Sequence, residues 1–220
     1  MSARTRRALA AAALAAGLAL SGVAAAREES PLSPQLDVVV LPREVLAVDA
    51  EGGGTLAARL EIGERVQFAK QRGRVGVVVT DRRLLAVTSR SGSWQEARYR
   101  SGEVSPEDVA LGDRVALVVT PIRAIGFDGK SGNLLEATLG PQERALDSAV
   151  GQNVAVVVSE RRALGMSAAR GGFFETRLRV GERITALHPL ADTVTLHTSK
   201  RLLVFRGPTG SWEERRLPLR

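Results

Sequence analysis

The chain has 220 residues, with 31 Lys and Arg against 24 Asp and Glu, a formal charge of +7, and no cysteine. Without cysteine, neither a disulfide framework nor a thiolate-held metal carries the fold, so stability must come from packing.

Residues 1–26 read as an export leader. Arg4, Arg6 and Arg7 form a positive start, and Ala8 to Leu20 is an apolar run too short to anchor in a bilayer. Ala24-Ala25-Ala26 offers the small-x-small pattern of a signal-peptidase site, which predicts cleavage after Ala26. Arg6-Arg7 partly resembles a twin-arginine signal, but paired arginines are common in ordinary leaders, so both export routes stay open. No cysteine follows the apolar run, so a lipid anchor is not expected. The predicted destination is the periplasm or the medium. Removing the first 26 of the 220 residues leaves 194, and the loss of three arginines takes the charge from +7 to about +4. That is modest for a soluble domain and does not by itself demand a polyanionic partner. No later stretch has the length of apolar sequence a membrane span needs. Residues 27–36 form a short linker or closing segment, and the rest, 37–220, is repetitive.

Five copies of one unit begin at Asp37, Val75, Val115, Val154 and Val194. Gly53, Gly92, Gly132, Gly171 and Gly210 are equivalent, at spacings of 39, 40, 39 and 39 residues. The same offsets relate Leu60, Tyr99, Leu139, Leu178 and Leu217, and also Thr55, Trp94, Leu134, Phe173 and Trp212. Agreement among independent columns marks a structural repeat.

Each unit predicts strands. The first segment (Val75 to Val79, Val115 to Val119, Val154 to Val158) is a short β-branched run, as in a strand buried on both faces. A polar turn follows, then a strand that alternates by size. Leu46 and Val48, Leu85 and Val87, Ile125 and Phe127, Leu164 and Met166, and Leu203 and Phe205 share one face. The intervening column is Ala47, Ala86, Gly126, Gly165 and Val204, mostly small. With a side-chain period of two, each sheet then has a bulky and a shallow side, and stacked copies interlock. A glycine turn leads to a third strand carrying Glu96, Glu136, Glu175 and Glu214. A more polar fourth segment closes the unit (Arg65 to Gln71, Val109 to Leu111, Ala145 to Val150, Arg183 to Leu190).

Four strands in about 40 residues, repeated, is the spacing of propeller blades. The chain resembles a five-bladed β-propeller of four-stranded antiparallel blades. It lacks the Gly-His and Trp-Asp signatures of WD40 repeats and the double glycine of kelch repeats, so the resemblance is to an architecture and to no specific family. Under this reading the last copy stops after its third strand. Residues 27–36 are the candidate to complete it, although Pro31 and Pro34 suit a strand poorly.

The most suggestive site column is basic. Arg83, Arg123, Arg162 and Arg201 are equivalent, with Glu44 the exception in the first copy. Guanidinium forks repeated at one end of a ring suit a carboxylate, phosphate or sulfate ligand, which makes these four the candidate ligand-binding residues. The competing reading pairs them with the acidic column Glu64, Glu103, Glu143 and Glu182 as ties between copies, and repetition in nearly every copy favours it. Trp94, Phe173 and Trp212 are candidate sugar-stacking platforms, but a large residue at one blade position reads better as packing. His188 and His197, with Asp192 between them, make too sparse a set for a metal, and no cofactor pattern appears. The inner strands are nearly all Val, Ala and Leu, which gives little support to a pair of catalytic carboxylates. Basic residues are not interleaved with aromatics as nucleic-acid surfaces require. The expected function is a non-enzymatic binding or scaffold module for a protein or an anionic polysaccharide, with a lectin or glycosidase as the alternative.

Overall fold

A computed structural model describes residues 35–103, 106 and 109–216. Residues 1–26, expected to be a leader, the segment 27–34 and the last four residues lie outside the described residues. The described residues are all-β, with nineteen strands in five antiparallel sheets. Blade 1 holds β1 (Leu36–Val40), β2 (Glu44–Asp49) and β3 (Thr55–Arg59). Blade 2 holds β4 (Val66–Arg72), β5 (Val75–Thr80), β6 (Arg83–Thr88) and β7 (Gln95–Arg98). Blade 3 holds β8 (Ala110–Leu111), β9 (Val115–Val119), β10 (Arg123–Asp128) and β11 (Asn133–Thr138). Blade 4 holds β12 (Ala145–Val150), β13 (Val154–Ser159), β14 (Arg162–Ser167) and β15 (Gly172–Arg177). Blade 5 holds β16 (Ile184–Pro189), β17 (Thr193–Thr198), β18 (Arg201–Arg206) and β19 (Ser211–Arg216). In each sheet spatial order follows chain order, so every connection within a blade is a hairpin.

One expectation shifts by a strand. The fourth segment of each sequence unit pairs with the first strand of the next unit: β4 lies on β5, β12 on β13 and β16 on β17. Each blade therefore borrows its first strand from the unit before it. Blade 5, expected to lack a strand, has four, while blade 1 has three among the described residues. The physical reason lies in the connections. Gly73 (φ 54°) allows a tight turn from Arg72 into Val75, whereas a longer loop separates Arg59 from Val66. Short turns join strands of one sheet.

The blades interlock by size. The β-branched first segments β5 and β13 are buried along their whole length. The bulky column of each blade enters the shallow column of the preceding one. A Cβ added at Gly126 would meet Met166 Sδ at 2.0 Å, and one at Gly165 would meet the Phe205 ring at 2.4 Å. Every apolar core cluster joins two successive blades. Val77, Phe127 and their neighbours link blades 2 and 3, Val157 and Met166 link blades 3 and 4, and Val156 and Phe205 link blades 4 and 5. Two smaller clusters around Ala47 and Val45 link blades 1 and 2. Among the described residues no such cluster joins blade 5 to blade 1.

Candidate functional site

The repeated arginines stand at the start of the third strand of their blades, and each is locked. Arg83 Nε and Nη2 donate to Glu64 at 2.9 Å, Nη2 also to the Arg59 carbonyl of blade 1 at 2.8 Å, and Nη1 to Glu96. Arg123 repeats the pattern with Glu103, the Arg98 carbonyl and Glu136. Arg162 does so with Glu143, the Thr138 carbonyl and Glu175, and Arg201 with Glu182, the Arg177 carbonyl and Glu214. Four of the five N–H donors of each guanidinium are thereby used, one of them on the backbone of the preceding blade. The fork is bidentate on a carboxylate, the strongest geometry open to it.

A hydroxyl three residues before each arginine completes the unit. Thr80 Oγ1 accepts from the Arg83 N–H at 2.9 Å, and donates to Glu64 at 2.8 Å or to the Arg83 carbonyl at 2.9 Å. Thr198 and Ser159 occupy the same place beside Arg201 and Arg162. The sequence signal for this partner was a hydroxyl residue at a fixed offset in four copies (Thr80, Thr120, Ser159, Thr198), which the arginine column alone does not reveal. Left-handed glycines Gly63, Gly102 and Gly181 (φ 76°, 78° and 70°) turn the chain just before three of the four glutamates. Burial pushes the Glu143 carboxyl up, but the Arg162 guanidinium, the Ser159 hydroxyl and the Gly140 N–H outweigh it and hold it at about 2. Glu182 is held at about 2 in the same way, by Arg201, the Arg179 N–H and Thr198 acting against its burial.

The other candidates also fall into place. Trp94 Nε1 donates to the Leu56 carbonyl at 3.0 Å and Trp212 Nε1 to the Phe174 carbonyl at 2.9 Å, each reaching the last strand of the preceding blade. Phe173 packs in the core between blades 3 and 4. His188 and His197 meet edge to face, ring centroids 4.8 Å apart, on the outer side of blade 5. Asp192 accepts from Asn153 at 2.7 Å. Among the described residues no group of three potential ligands gathers around a metal position, and no helix is long and apolar enough to cross a membrane.

The two ends of the blade series differ, and here the sequence columns gain meaning. Blade 5 turns outward Thr195, His197, His188, Leu202 and Val204, with an Arg206–Glu213 ion pair at 2.6 Å. Its shallow column is filled by Val204, where blades 1 to 4 carry Ala or Gly. A polar outer face is how terminal repeats are capped. Blade 1 does the opposite. Val39, Leu46 and Val48 share its outer side, and Val39 is 36% exposed, whereas the equivalent Val78, Leu85 and Val87 are at most 1% exposed. Blade 1 has also lost each group that grips a preceding blade elsewhere. Leu41 replaces the hydroxyl, Glu44 the arginine, Thr55 the tryptophan of blades 2 and 5, and Ala57 the last-strand glutamate. An apolar sheet face stripped of its inter-blade ties is the candidate interaction surface.

These features define the class: an all-β repeat protein of five β-propeller blades. No protein-family model matches the chain, and no curated protein matches it. Similar solved structures are propeller proteins. Hsv2p of Kluyveromyces lactis is 10% identical with a TM-score of 0.38, and the match covers 84% of this chain and 61% of that one. Prp20p of Saccharomyces cerevisiae, solved with attention to its binding of Gsp1p and histones, is 8% identical with a TM-score of 0.40, over 79% of this chain and 56% of that one. Apo AztD of Citrobacter koseri is 13% identical with a TM-score of 0.40, over 83% and 59%. The chain thus spans about three-fifths of the length of these structures. Likeness at this level carries nothing about ligands.

Proposed function

We propose that the chain is an exported, non-enzymatic binding or scaffold module whose ligand is a protein, held on the outer face of blade 1. The observation that carries this reading is the contrast between the two terminal blades. Blade 5 surrounds Leu202 and Val204 with Thr195, His188, His197 and an ion pair, while blade 1 sets Val39, Leu46 and Val48 side by side on its open side. Apolar area left uncovered at Val39, beside Leu46 and Val48 and with the structural ties removed around it, supports a protein partner over a polysaccharide. The arginine column has a full set of internal partners, so this reading gives Arg83, Arg123, Arg162 and Arg201 the work of joining blades. Export rests on the leader sequence, from Arg4 to Ala26.

Two measurements test the reading. A photo-crosslinking side chain at position 46, in the full chain expressed with its leader, is expected to yield protein adducts absent when the same group is placed at position 195. Adducts at neither position, or capture on a glycan array independent of position 46, would overturn it. N-terminal sequencing of the accumulated protein is expected to begin at Arg27, and a cytoplasmic chain that keeps Arg4 would remove the export part.

A further inference from the structure

Resting on that reading, we infer that the protein held on the blade 1 face is a second copy of this chain, packed blade 1 to blade 1 about a two-fold axis. Two other arrangements are disfavoured by the residues themselves. In the first, blade 1 mates with blade 5, of the same copy or of another, as successive blades do. That contact needs a shallow column to receive Leu46 and Val48. At Gly126 and Gly165 there is no room even for a Cβ beside the next blade's Met166 and Phe205. Blade 5 puts branched Val204 at that position, with His188, His197 and the Arg206–Glu213 pair around it. From the other side, Glu44 stands where an arginine would clasp the preceding blade's carbonyl, so a carboxylate would face a carbonyl oxygen. In the second arrangement blade 1 is simply solvated, which leaves Val39 36% exposed in one contiguous apolar row with Leu46 and Val48.

The register of blade 1 supplies the positive argument. On the outer face Asp37 lies beside Val48 and Thr55, Val39 beside Leu46 and Ala57, and Glu44 beside Arg59. A two-fold axis parallel to β2 lays β1 of one copy over β3 of the other. Val39 then sits over Ala57 of the second copy, large on small, and this happens twice. Asp37, whose Oδ1 accepts from Gln71 of blade 2 at 3.1 Å, lies over Thr55 of the second copy, again twice. Leu46 and Val48 meet their own counterparts at the centre. The two Glu44 carboxylates approach one another, each flanked by the Arg59 of its own sheet, so the acids do not stand alone. Had Ala57 been the glutamate of the other four blades, two carboxylates would enter the apolar centre. An isologous contact needs one self-complementary patch, and this face is one. Packing of this kind is sheet on sheet, about 10 Å apart. A three-stranded face lies at the small end of stable interfaces, so the dimer should dissociate on dilution.

Sedimentation velocity on the full chain, expressed with its leader and taken from low to high micromolar concentration, is expected to show a monomer–dimer equilibrium. Leu46→Glu and the uncharged Ala57→Phe should each raise its dissociation constant about tenfold or more. Val204→Glu, on the far end, should leave it unchanged. Circular dichroism establishes that each variant is folded. Because the chain has no cysteine, Leu46→Cys gives a single thiol, and a bismaleimide spanning about 10 Å should link the folded wild-type-like dimer through it. Dissociation by Val204→Glu, or a mixed link between Leu46→Cys and Val204→Cys chains with no homotypic link, would overturn the two-fold arrangement. A chain that stays monomeric while position 46 still crosslinks to another protein overturns this inference and leaves the protein-binding reading standing. A monomer with no adduct at position 46 removes both.

Discussion

Phe205 lies against Gly165, so close that a Cβ on the glycine would meet its ring at 2.4 Å. The pair shows how the blades choose their order: a bulky residue of one sheet is admitted by the missing side chain of the sheet before. Gly165→Ala should cost about 1–3 kcal/mol, because a ring packed against Trp212, centroids 5.2 Å apart, has little freedom to retreat. Urea denaturation checks the value, and Phe205→Leu added to Gly165→Ala should recover part of the loss. Gly126→Ala should be milder, since its neighbour is the flexible Met166 thioether.

The side chains of Arg123 and Glu103 are 3% and 0% exposed. Arg123→Met strands a buried carboxylate and should cost about 3–5 kcal/mol. Replacing both, as Arg123→Met with Glu103→Leu, should restore most of that stability, since apolar residues in place of a buried pair are often neutral. A double variant no more stable than the single one would show that the contact with the Arg98 carbonyl matters more than the ion pair.

Acid should loosen the blades together. Glu143 and Glu182 are held at about 2 in the folded chain, against an ordinary 4.5, and Glu64 and Glu103 are lowered as well. Depressed carboxyls leave the folded state with fewer bound protons than the unfolded one. The stability they contribute is therefore complete above about pH 4.5 and is lost as pH falls towards about 2. Thermal midpoints across that window should drop steeply for the wild type and more gently for Glu143→Gln, whose midpoint should already be lower near neutrality.

The two tryptophans report on different ends of the molecule. Trp94 bonds blade 1 from blade 2, and Trp212 bonds blade 4 from blade 5. Each Trp→Phe change removes one donor from a carbonyl and should cost about 1 kcal/mol. The remaining tryptophan then gives a local fluorescence signal. Coincident transitions from the Trp94-only and Trp212-only variants would mean that all five blades unfold as one unit, and separated transitions that the ends melt independently.

Much of this was legible because the repeat columns are physical columns. The runs at Val75 and Val154 read as fully buried strands, and they are buried on both faces. The Leu85 and Ala86 alternation predicted interlocking sides, and the glutamate column predicted ties to Arg83 and its equivalents. The strand boundary of the blade was not legible. Periodicity fixes the length of a unit and not its phase, so the sequence groups the segment Arg65 to Gln71 with the strands before it; the turn at Gly73 pairs it instead with the strand after it. The open face was hidden for a related reason. Leu41, Glu44, Thr55 and Ala57 each look like an ordinary exception in a column, and only their convergence on one side of blade 1 gives them a common meaning.

The borrowed first strand also governs how this molecule can be cut. A truncation made at a sequence repeat, just before Thr193, would leave β16 hanging from blade 4 with no sheet to join. A cut in the loop after Arg177 would remove a whole blade and expose the shallow Gly165 column cleanly. Anyone shortening or lengthening the series should therefore count from loop to loop, because the unit that evolution copied and the unit that folds are out of step by one strand.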